Sequence, residues 1–219
     1  MTSNEFRERL SVRAGNAGVS VTADAHAKLE TYFQLLTRWN AKINLTALPL
    51  HRPTDETFDR LLIEPLAAAR YVVDSARRWF DVGSGGGSPA IPLKIVLPPV
   101  ELTMVESKAR KAAFLREAVR ALELPDVDVE NHRFEDVVAH VRSHSVDLVS
   151  VRAVKSGPSL LTGIRRVLSP NGRVLVFQSP AGGTEVPPGF ETVELARLGT
   201  SHDARLSIFK PVFHVEQSD

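Results

Sequence analysis

Four glycines lie between an apolar run and an apolar helical pattern, at positions 83, 85, 86 and 87. The apolar run is 79–82, and the helical pattern begins at Ile91. A strand, a glycine turn and a helix in this order form the first unit of nucleotide-binding α/β domains. Such a turn needs glycine because the backbone bends sharply and approaches the ligand closely, where a Cβ would clash. The alternative is a structural turn that only joins a strand to a helix.

A carboxylate follows the glycines at the distance that nucleotide binding requires. The next strand candidate, 100–105, leads directly into Glu106, which stands 21 residues after Gly85. In nucleotide-binding α/β folds, an acid about 20 residues beyond the glycine turn accepts hydrogen bonds from ribose hydroxyls. The loop and the acid together predict a nucleoside site much more strongly than the loop alone.

The residues around the glycines indicate which nucleotide is bound. Ser88 stands where a dinucleotide loop has its third glycine, and Asp81 precedes the loop by two residues. A carboxylate there would repel a pyrophosphate but suits a ligand with a cationic amino-acid end, such as S-adenosylmethionine. No Gly-Lys-Ser/Thr ends the loop, which disfavours nucleoside triphosphate hydrolysis. The pattern predicts a methyltransferase with S-adenosylmethionine as its cofactor.

The composition is that of an ordinary globular protein. Hydrophobic residues make up 43% of the 219 residues and charged residues 24%. With no stretch of about 18 apolar residues, we expect a cytoplasmic protein without a membrane partner. Because cysteine is absent, we expect neither disulfides nor a cysteine-based zinc site, and no other metal site is predicted. The net charge of +1 means that nucleic-acid contact would need a local basic patch. We expect a monomer.

The elements that must position the loop follow the pattern of an α/β domain. Strand candidates alternate with helices over 79–178, at 79–82, 100–105, 126–130, 146–151 and 172–178. This alternation predicts a parallel sheet with helices on both faces. Two later strand candidates, 190–196 and 204–209, predict an antiparallel hairpin at the sheet edge. We therefore expect a class I (Rossmann-like) methyltransferase domain over 76–219, with a mostly parallel seven-stranded sheet.

Residues 1–75 predict a helical extension packed on that domain. A first helix is expected over 3–15, a second begins after Thr22, and a third should run over 55–72 with a kink at Pro65. The second helix ends in the segment 39–46, which contains Asn40, Lys42 and Asn44. On local grounds, a helix cap with a turn and a part of the site are equally good interpretations of that segment.

A basic helix face is predicted over 107–122. Its bases are Lys108, Arg110, Lys111, Arg116 and Arg120. They could follow a phosphate backbone, although a solvated helix face is the more frequent explanation of such a run.

Four segments, taken together, resemble one known family. They are Asp81–Leu93, Glu106–Leu115, Val151–Ala153 and Trp39–Thr46, in a match that runs over about 25–178. They look like the bacterial ribosomal RNA small-subunit methyltransferase G family, also called GidB. The resemblance implies methylation of N7 of a guanine in the 530 loop of 16S rRNA, with S-adenosylmethionine as donor and the small ribosomal subunit as partner.

The resemblance also implies roles for donor-site residues. Gly83 and Ser88 would line the methionine end of the donor, and Glu106 would hold its ribose. Phe134 and Glu135 would flank the adenine, one by apolar contact and one through its backbone.

On the acceptor side, Arg152 would be the catalytic residue, at the mouth where donor and target base meet. The alternative for Arg152 is a salt bridge to a neighbouring acid such as Asp147. The resemblance makes Asn40, Lys42 and Asn44 part of the expected RNA site. Arg110 and Lys111 are the other expected RNA contacts.

The chain departs from the family at four places. Leu61 replaces a histidine, Glu64-Pro65 replaces Asp-Ser, Pro89-Ala90 replaces Pro-Gly, and Gln178-Ser179 stands where Lys-Gly is common. These departures lie on the acceptor side more than on the donor side. They leave two rival functions open: methylation of a different substrate, or donor binding without catalysis in a ribosome-associated module.

The chemistry expected from the resemblance needs little acid–base machinery. Guanine N7 has an in-plane lone pair and no proton, so the enzyme must align the reactants rather than remove a proton. Methylation at C5 of a pyrimidine would call for a cysteine, which the chain lacks. The segment 150–153 also lacks the Asn/Asp-Pro-Pro-aromatic loop typical of adenine N6 methylation. The histidines lie outside the motifs except His132, which we interpret as a loop residue beside the adenine segment.

Overall fold

The computed structural model of the chain describes residues 1–97, 99–153, 157–178, 185–200 and 204–212. Ser179, His202 and His214, which were considered above, lie outside these ranges.

A seven-stranded sheet forms the centre of the molecule. Its strands are β1 Arg78–Val82, β2 Glu101–Val105, β3 Val127–Glu130, β4 Val146–Arg152, β5 Leu168–Gln178, β6 Phe190–Arg197 and β7 Arg205–Pro211. Their order is β3-β2-β1-β4-β5-β7-β6, and β7 runs antiparallel to both of its neighbours. The predicted fold class, a mostly parallel seven-stranded sheet with an antiparallel edge hairpin, is confirmed. The carboxyl ends of β1, β2 and β4 therefore meet at one edge, where ligands bind in open α/β sheets.

Helices cover both faces of this sheet. They are α1 Ser3–Asn16, α2 Ala23–Asn40, α3 Asp55–Phe58, α4 Glu64–Ala68, α5 Ala90–Val96, α6 Ala109–Ala121, α7 Phe134–Ala139 and α8 Pro158–Val167. Successive strand residues point to opposite faces, so Trp79 enters one hydrophobic cluster and Phe80 the other. The first cluster holds α1 to α6, and the second holds α7 and α8.

The N-terminal extension packs against the sheet domain as expected. The side-chain oxygen of Thr22 accepts a hydrogen bond from the amide of Ala25 and caps α2. The buried stripe of α2, including Leu29 and Leu36, shares its cluster with Ile91 and Leu115. The boundary at residue 75 stays a prediction. Within the described ranges, no helix is long and apolar enough to cross a membrane.

The third helix differs from its prediction. Instead of one kinked helix over 55–72, α3 passes into a π-helical turn, Asp59–Ile63, and then into α4. The amide of Glu64 donates to the carbonyl of Asp59, five residues back. In the same register the next donor would be Pro65, which has no N–H. The Arg60 carbonyl is thereby left without a donor from the helix backbone, and it turns to partners outside the helix.

Candidate active site at the carboxyl ends of the strands

The glycine loop follows β1 and is tied to the end of β2. The amides of Gly83 and Ser84 both donate to the carbonyl of Val105, at 2.9 and 3.1 Å. Gly85 has a φ of +53°, a left-handed conformation that favours glycine. A Cβ at Gly87 would lie 2.5 Å from the side chain of Ile91. Glycine is therefore favoured at position 85 by its backbone conformation and at position 87 by the lack of space for a side chain.

Glu106 joins the loop to the helix that follows β2. One carboxylate oxygen accepts a hydrogen bond from the amide of Gly85 at 2.9 Å, and the other accepts one from the amide of Lys108 at 2.7 Å. The side chain of Glu106 is buried, with the residue 6% exposed. Each oxygen retains acceptor capacity for another donor. The spacing argument correctly brought the acid to the loop.

Two cavities meet at Gly83. The loop cleft, about 440 Å³, is lined on one side by the loop residues Gly83 to Gly86 and by Ser88, and on the other by residues 45–48. Glu106 and Arg152 also line it. The side cavity, about 250 Å³, lies between Gly83 and the start of α7. Both lie at the carboxyl edge of the sheet and share Gly83 as a lining residue, and we refer to the two together as the trough.

The side cavity contains both residues that were expected near an adenine. Phe134 packs edge-on against Phe80, with ring centroids 6.4 Å apart, and Glu135 accepts a weak hydrogen bond from Ser159 at 3.3 Å. His132 lines the same cavity. The sequence analysis interpreted His132 as a loop residue beside the adenine segment, and its place two residues before Phe134 was the signal for this position.

Asp81 lies beneath the glycine loop rather than on its surface. It is 1% exposed, and it is the one predicted donor residue that lines neither cavity. The indole N–H of Trp79 donates to the hydroxyl of Ser150 at 2.8 Å, and that hydroxyl donates to Asp81 at 2.5 Å. Burial raises the pKa of Asp81 to about 6, against the lowering effect of the Ser150 hydrogen bond. A direct contact between Asp81 and the donor stays a prediction.

Arg152, the last residue of β4, is held by three groups. Its Nη2 lies 2.7 Å from a carboxylate oxygen of Glu64, and its Nη1 donates to the carbonyl of Arg60. Its guanidinium carbon stands 4.6 Å from the ring centroid of Phe177, on the neighbouring strand. Burial raises the pKa of Glu64 and lowers that of Arg152, while the attraction between the two charges opposes both shifts.

The alternative for Arg152, a salt bridge to an acid, is confirmed in kind, but the acid is Glu64 and not Asp147. A carboxylate oxygen of Asp147 accepts hydrogen bonds from the amides of Arg77 and Arg78 instead, at 2.9 and 3.1 Å. Asp147 therefore secures the start of β1, and the acid beside Arg152 comes from α4, 88 residues away along the chain.

Ser88 connects the glycine loop to the π-helical turn. Its hydroxyl donates to the carbonyl of Leu61 at 3.0 Å and lies 3.4 Å from the carbonyl of Arg60. Leu61, which stands where the resemblance implied a histidine, lines the loop cleft. Ser88 lies in the cleft with its hydroxyl proton directed toward the helix, and its contact with the donor stays a prediction.

The N-terminal extension forms one wall of the loop cleft. The phenol of Tyr32, in α2, donates to the carbonyl of Gly86 at 2.6 Å. A Cβ on Gly86 would lie 3.3 Å from the carbonyl of Leu45 and 3.4 Å from the side chain of Leu36. Burial raises the pKa of Tyr32 well above its usual value, so the phenol keeps its proton. Sequence periodicity gave Tyr32 a packing role only.

The turn after α2 owes its shape to Asn40. The side-chain oxygen of Asn40 accepts hydrogen bonds from the amides of Leu45 and Thr46, at 2.8 and 3.0 Å, and both of these residues line the loop cleft. Lys42 and Asn44 are exposed and line neither cavity. The cap interpretation is confirmed for the segment, and the cap also builds the cleft wall; a role in RNA binding stays a prediction.

The two basic residues expected to contact RNA differ in their environment. Lys111 is half-buried and lines the loop cleft, whereas Arg110 is exposed and lies outside both cavities. Lys111 has no ion-pair partner among the residues that the structure describes. Further along α6, Arg116 donates to the carbonyl of Val129 and so helps to hold β3.

Comparison with known proteins agrees with this geometry. Residues 25–188 match the family described as rRNA small subunit methyltransferase G. A ribosomal RNA small subunit methyltransferase G from Hydrogenovibrio crunogenus is 35% identical over 220 residues, 99% of this chain and 98% of the relative. The same-named protein of Pseudomonas entomophila is 36% identical over 137 residues, 63% of this chain. That match spans only 62% of the Pseudomonas protein.

Among solved structures, a SAM dependent methyltransferase from Aquifex aeolicus superposes with a TM-score of 0.57. The superposition covers 72% of this chain and 95% of that protein at 14% identity, so the likeness is one of fold.

Proposed function

The chain belongs to the rRNA small subunit methyltransferase G family, and from that premise we propose that it transfers a methyl group from S-adenosylmethionine to N7 of a guanine in the 530 loop of 16S rRNA. The observation that carries the proposal is the single trough in which the glycine loop, Glu106 and Arg152 meet. A donor in that trough would present its methyl group at the mouth of the loop cleft.

The residues of the trough fit the donor. Close approach to the backbone is possible at Gly85 and Gly86, where a side chain would be strained or would meet Leu45. Glu106 would accept hydrogen bonds from the ribose hydroxyls, and Phe134 would pack on the adenine. Gly83 lines both cavities, whereas Arg152 lines the loop cleft alone, which suits an adenine in the side cavity and a methionine end in the loop cleft.

Gly83 and Ser88 would line the methionine end, and the backbone at Glu135 would meet the edge of the adenine. We assign Asp81 an electrostatic role from beneath the loop, favouring the cationic end of the donor when its carboxylate is ionised. The bound donor supplies an electrophilic methyl group on a positively charged sulfur.

The acceptor base would be held without a general base. Because N7 carries no proton, the protein needs only to hold the base in line with the methyl carbon. Arg152 is the proposed catalytic residue. Two of its five N–H groups are engaged by Glu64 and the Arg60 carbonyl, and its Nε–H is buried. The two remaining Nη–H groups would donate to the donor carboxylate, to the base or to its phosphate.

RNA would approach over the basic end of α6. Lys111 at the cleft and the exposed Arg110 and Lys42 are the proposed phosphate contacts. Asn40 would act by shaping the turn, and Asn44 would be exposed to RNA beside it. A small cluster of this kind is enough for local contact, although the overall charge of +1 is low for a nucleic-acid binder.

The rival in which catalysis is lost has little support. Its basis was the departure of Leu61, Glu64-Pro65 and Gln178-Ser179 from the family pattern. Of these, the side chain of Glu64 takes part in the site through its ion pair to Arg152. A substituted residue that builds the site argues for a retained activity.

The test is methyl transfer into defined RNA. Purified protein and tritiated S-adenosylmethionine would be incubated with small subunits from a strain that lacks this modification, and the product located by mass spectrometry. We expect one methylguanine in the 530 loop. Labelling of subunits whose target carries 7-deazaguanine, or labelling of another substrate in preference to the subunit, would overturn the proposal.

A further inference from the structure

None of the three groups around Arg152 comes from its own strand. The carboxylate of Glu64 and the carbonyl of Arg60 both belong to the segment where the π-helical turn passes into α4. They approach one edge of the guanidinium, while Phe177 covers its face. This arrangement fixes both the tilt and the rotation of a side chain that otherwise has many rotamers.

Pro65 is the reason that the backbone carbonyl is available. In the π-helical register, the residue at position 65 would donate its N–H to the Arg60 carbonyl, as Glu64 does to Asp59. Proline has no N–H, so the Arg60 carbonyl accepts from Arg152 instead. An alanine at this position would restore a competing donor.

The turn itself is anchored from the other side. Arg13, in α1, holds Asp59 through two hydrogen bonds of 2.6 and 2.5 Å, and Asp59 is buried. Ser88 binds the neighbouring carbonyl of Leu61. The turn that holds Arg152 is therefore fixed to the N-terminal helix and to the glycine loop at once.

We infer that Glu64 and Pro65 are positioning residues for Arg152, and that they set the orientation in which its guanidinium meets the reacting groups. The inference rests on the proposed function, since Arg152 acts there as the catalytic residue. Neither positioning residue needs to touch donor or RNA. Their loss should therefore lower the rate of methyl transfer with much smaller effects on the binding of either ligand.

The ion pair between Glu64 and Arg152 is better suited to fixing the orientation of the guanidinium than to stabilising the fold. Bringing Glu64 and Arg152 out of water costs much of what their attraction returns, so such pairs are weak sources of stability. Removing one partner leaves the other as an unpaired buried charge. Glu64→Gln keeps an acceptor oxygen but removes the negative charge that pairs with the buried guanidinium, so Arg152 would be held less firmly and the reacting groups would lose alignment.

The test measures single-turnover methylation of small subunits at saturating donor. Glu64→Gln should slow transfer about tenfold or more, with the subunit KM changed less than about threefold. Glu64→Asp, which keeps the charge, should regain part of the rate. Pro65→Ala should be slowed because its new N–H competes for the Arg60 carbonyl. Glu56→Gln, which removes an exposed acid about two turns earlier, is the matched control and should transfer normally.

A double variant distinguishes positioning from an independent role. Glu64→Gln added to Arg152→Ala should cost no further rate if Glu64 acts through Arg152. An additive loss would overturn the inference, and so would a normal rate in Glu64→Gln. Inactivity of the unchanged protein on subunits would instead contradict the proposed function.

A second measurement does not depend on activity. The Nε–H resonance of Arg152, assigned by its loss in Arg152→Ala, should be slow to exchange with water in the unchanged protein. Glu64→Gln and Pro65→Ala should speed that exchange, whereas Glu64→Asp should retain most of the protection. Equal exchange in all variants would overturn the inference even if one variant folds too poorly for kinetics.

Discussion

Glu106 accepts a hydrogen bond from the amide of Gly85 at 2.9 Å, so the acid at the end of β2 holds the loop at the end of β1. The same carboxylate also receives the amide of Lys108 at the start of α6. A ribose contact would add a third donor to a group that already determines the loop's conformation. Loop order and donor affinity should therefore change together when this side chain is altered.

Glu106→Ala should weaken donor binding by about 1.5–3 kcal/mol, the range for hydrogen bonds to a charged group. Calorimetry with S-adenosylmethionine measures this directly. Glu101→Ala, at the opposite end of the same strand and exposed to solvent, is the control and should bind normally. Unchanged affinity in Glu106→Ala would place the ribose elsewhere.

Tyr32→Phe should destabilise the fold by about 1–3 kcal/mol, because the Gly86 carbonyl would lose its phenol donor inside the core. Donor affinity should fall as well, since the carbonyl belongs to the loop. Chemical denaturation and calorimetry report the two effects. Tyr71→Phe, at a half-buried tyrosine outside the site, should change neither. A stable variant with normal donor affinity would show that the loop does not depend on this hydrogen bond.

Asp81 should make stability fall as pH rises through about 6. Its pKa is raised in the folded state from about 3.8, so between these values the folded protein binds more protons than the unfolded chain. The free energy of unfolding should then decrease with rising pH over this window, on the order of 3 kcal/mol for a shift of this size. Asp81→Asn should remove this part of the dependence in denaturation curves recorded from pH 4 to pH 7. Identical curves would mean that Asp81 titrates normally.

The chemical step should be independent of pH from neutral to mildly alkaline buffer, because guanine N7 has no proton to lose. Single-turnover rates on small subunits test this. A tenfold rise with pH, with binding and folding constant, would indicate a base and a different acceptor atom. Any loss on the acid side should follow the protonation of Asp81 and be absent from Asp81→Asn if that variant still binds the donor.

Lys111→Glu and Arg110→Glu should separate two kinds of RNA contact. Both should weaken subunit binding and reduce its salt dependence. Only Lys111→Glu should also slow transfer at saturating subunit, because Lys111 lines the cleft and Arg110 does not. Filter binding over a salt series and single-turnover rates give the two readouts. Equal effects of both variants on transfer would contradict this division.

Local patterns predicted the donor half of the site, and long-range packing decided the rest. The strand, glycine turn and following acid are consecutive, so spacing alone brought Gly85 and Glu106 together. Glu64 and Arg152 are 88 residues apart and meet only because α4 packs near the end of β4. The hydrophobic periodicity of a sequence does not indicate which acid will pair with a buried arginine.

The predicted kink at Pro65 became a π-helical turn for a related reason. A missing N–H can be accommodated by bending the axis or by widening one turn, and the choice depends on what surrounds the helix. Here Arg13, Ser88 and Arg152 all find partners on the widened turn. The sequence shows that Pro65 lacks a backbone N–H, but it does not show which side chains stabilise a π-helical turn instead of a kink.

The stripe of α2 packs in one cluster with α5 and α6, and both of those helices are made later on the ribosome. At about 5–20 residues per second, roughly 4–17 s separate the synthesis of Leu36 from that of α6. During that interval the nascent chain carries an uncovered apolar helix, and Tyr32 has no complete loop to bind. We therefore expect stalled nascent chains to lose protease sensitivity within α2 only after α6 has left the exit tunnel. Equal protection in chains stalled before α5 would show that the extension folds unaided.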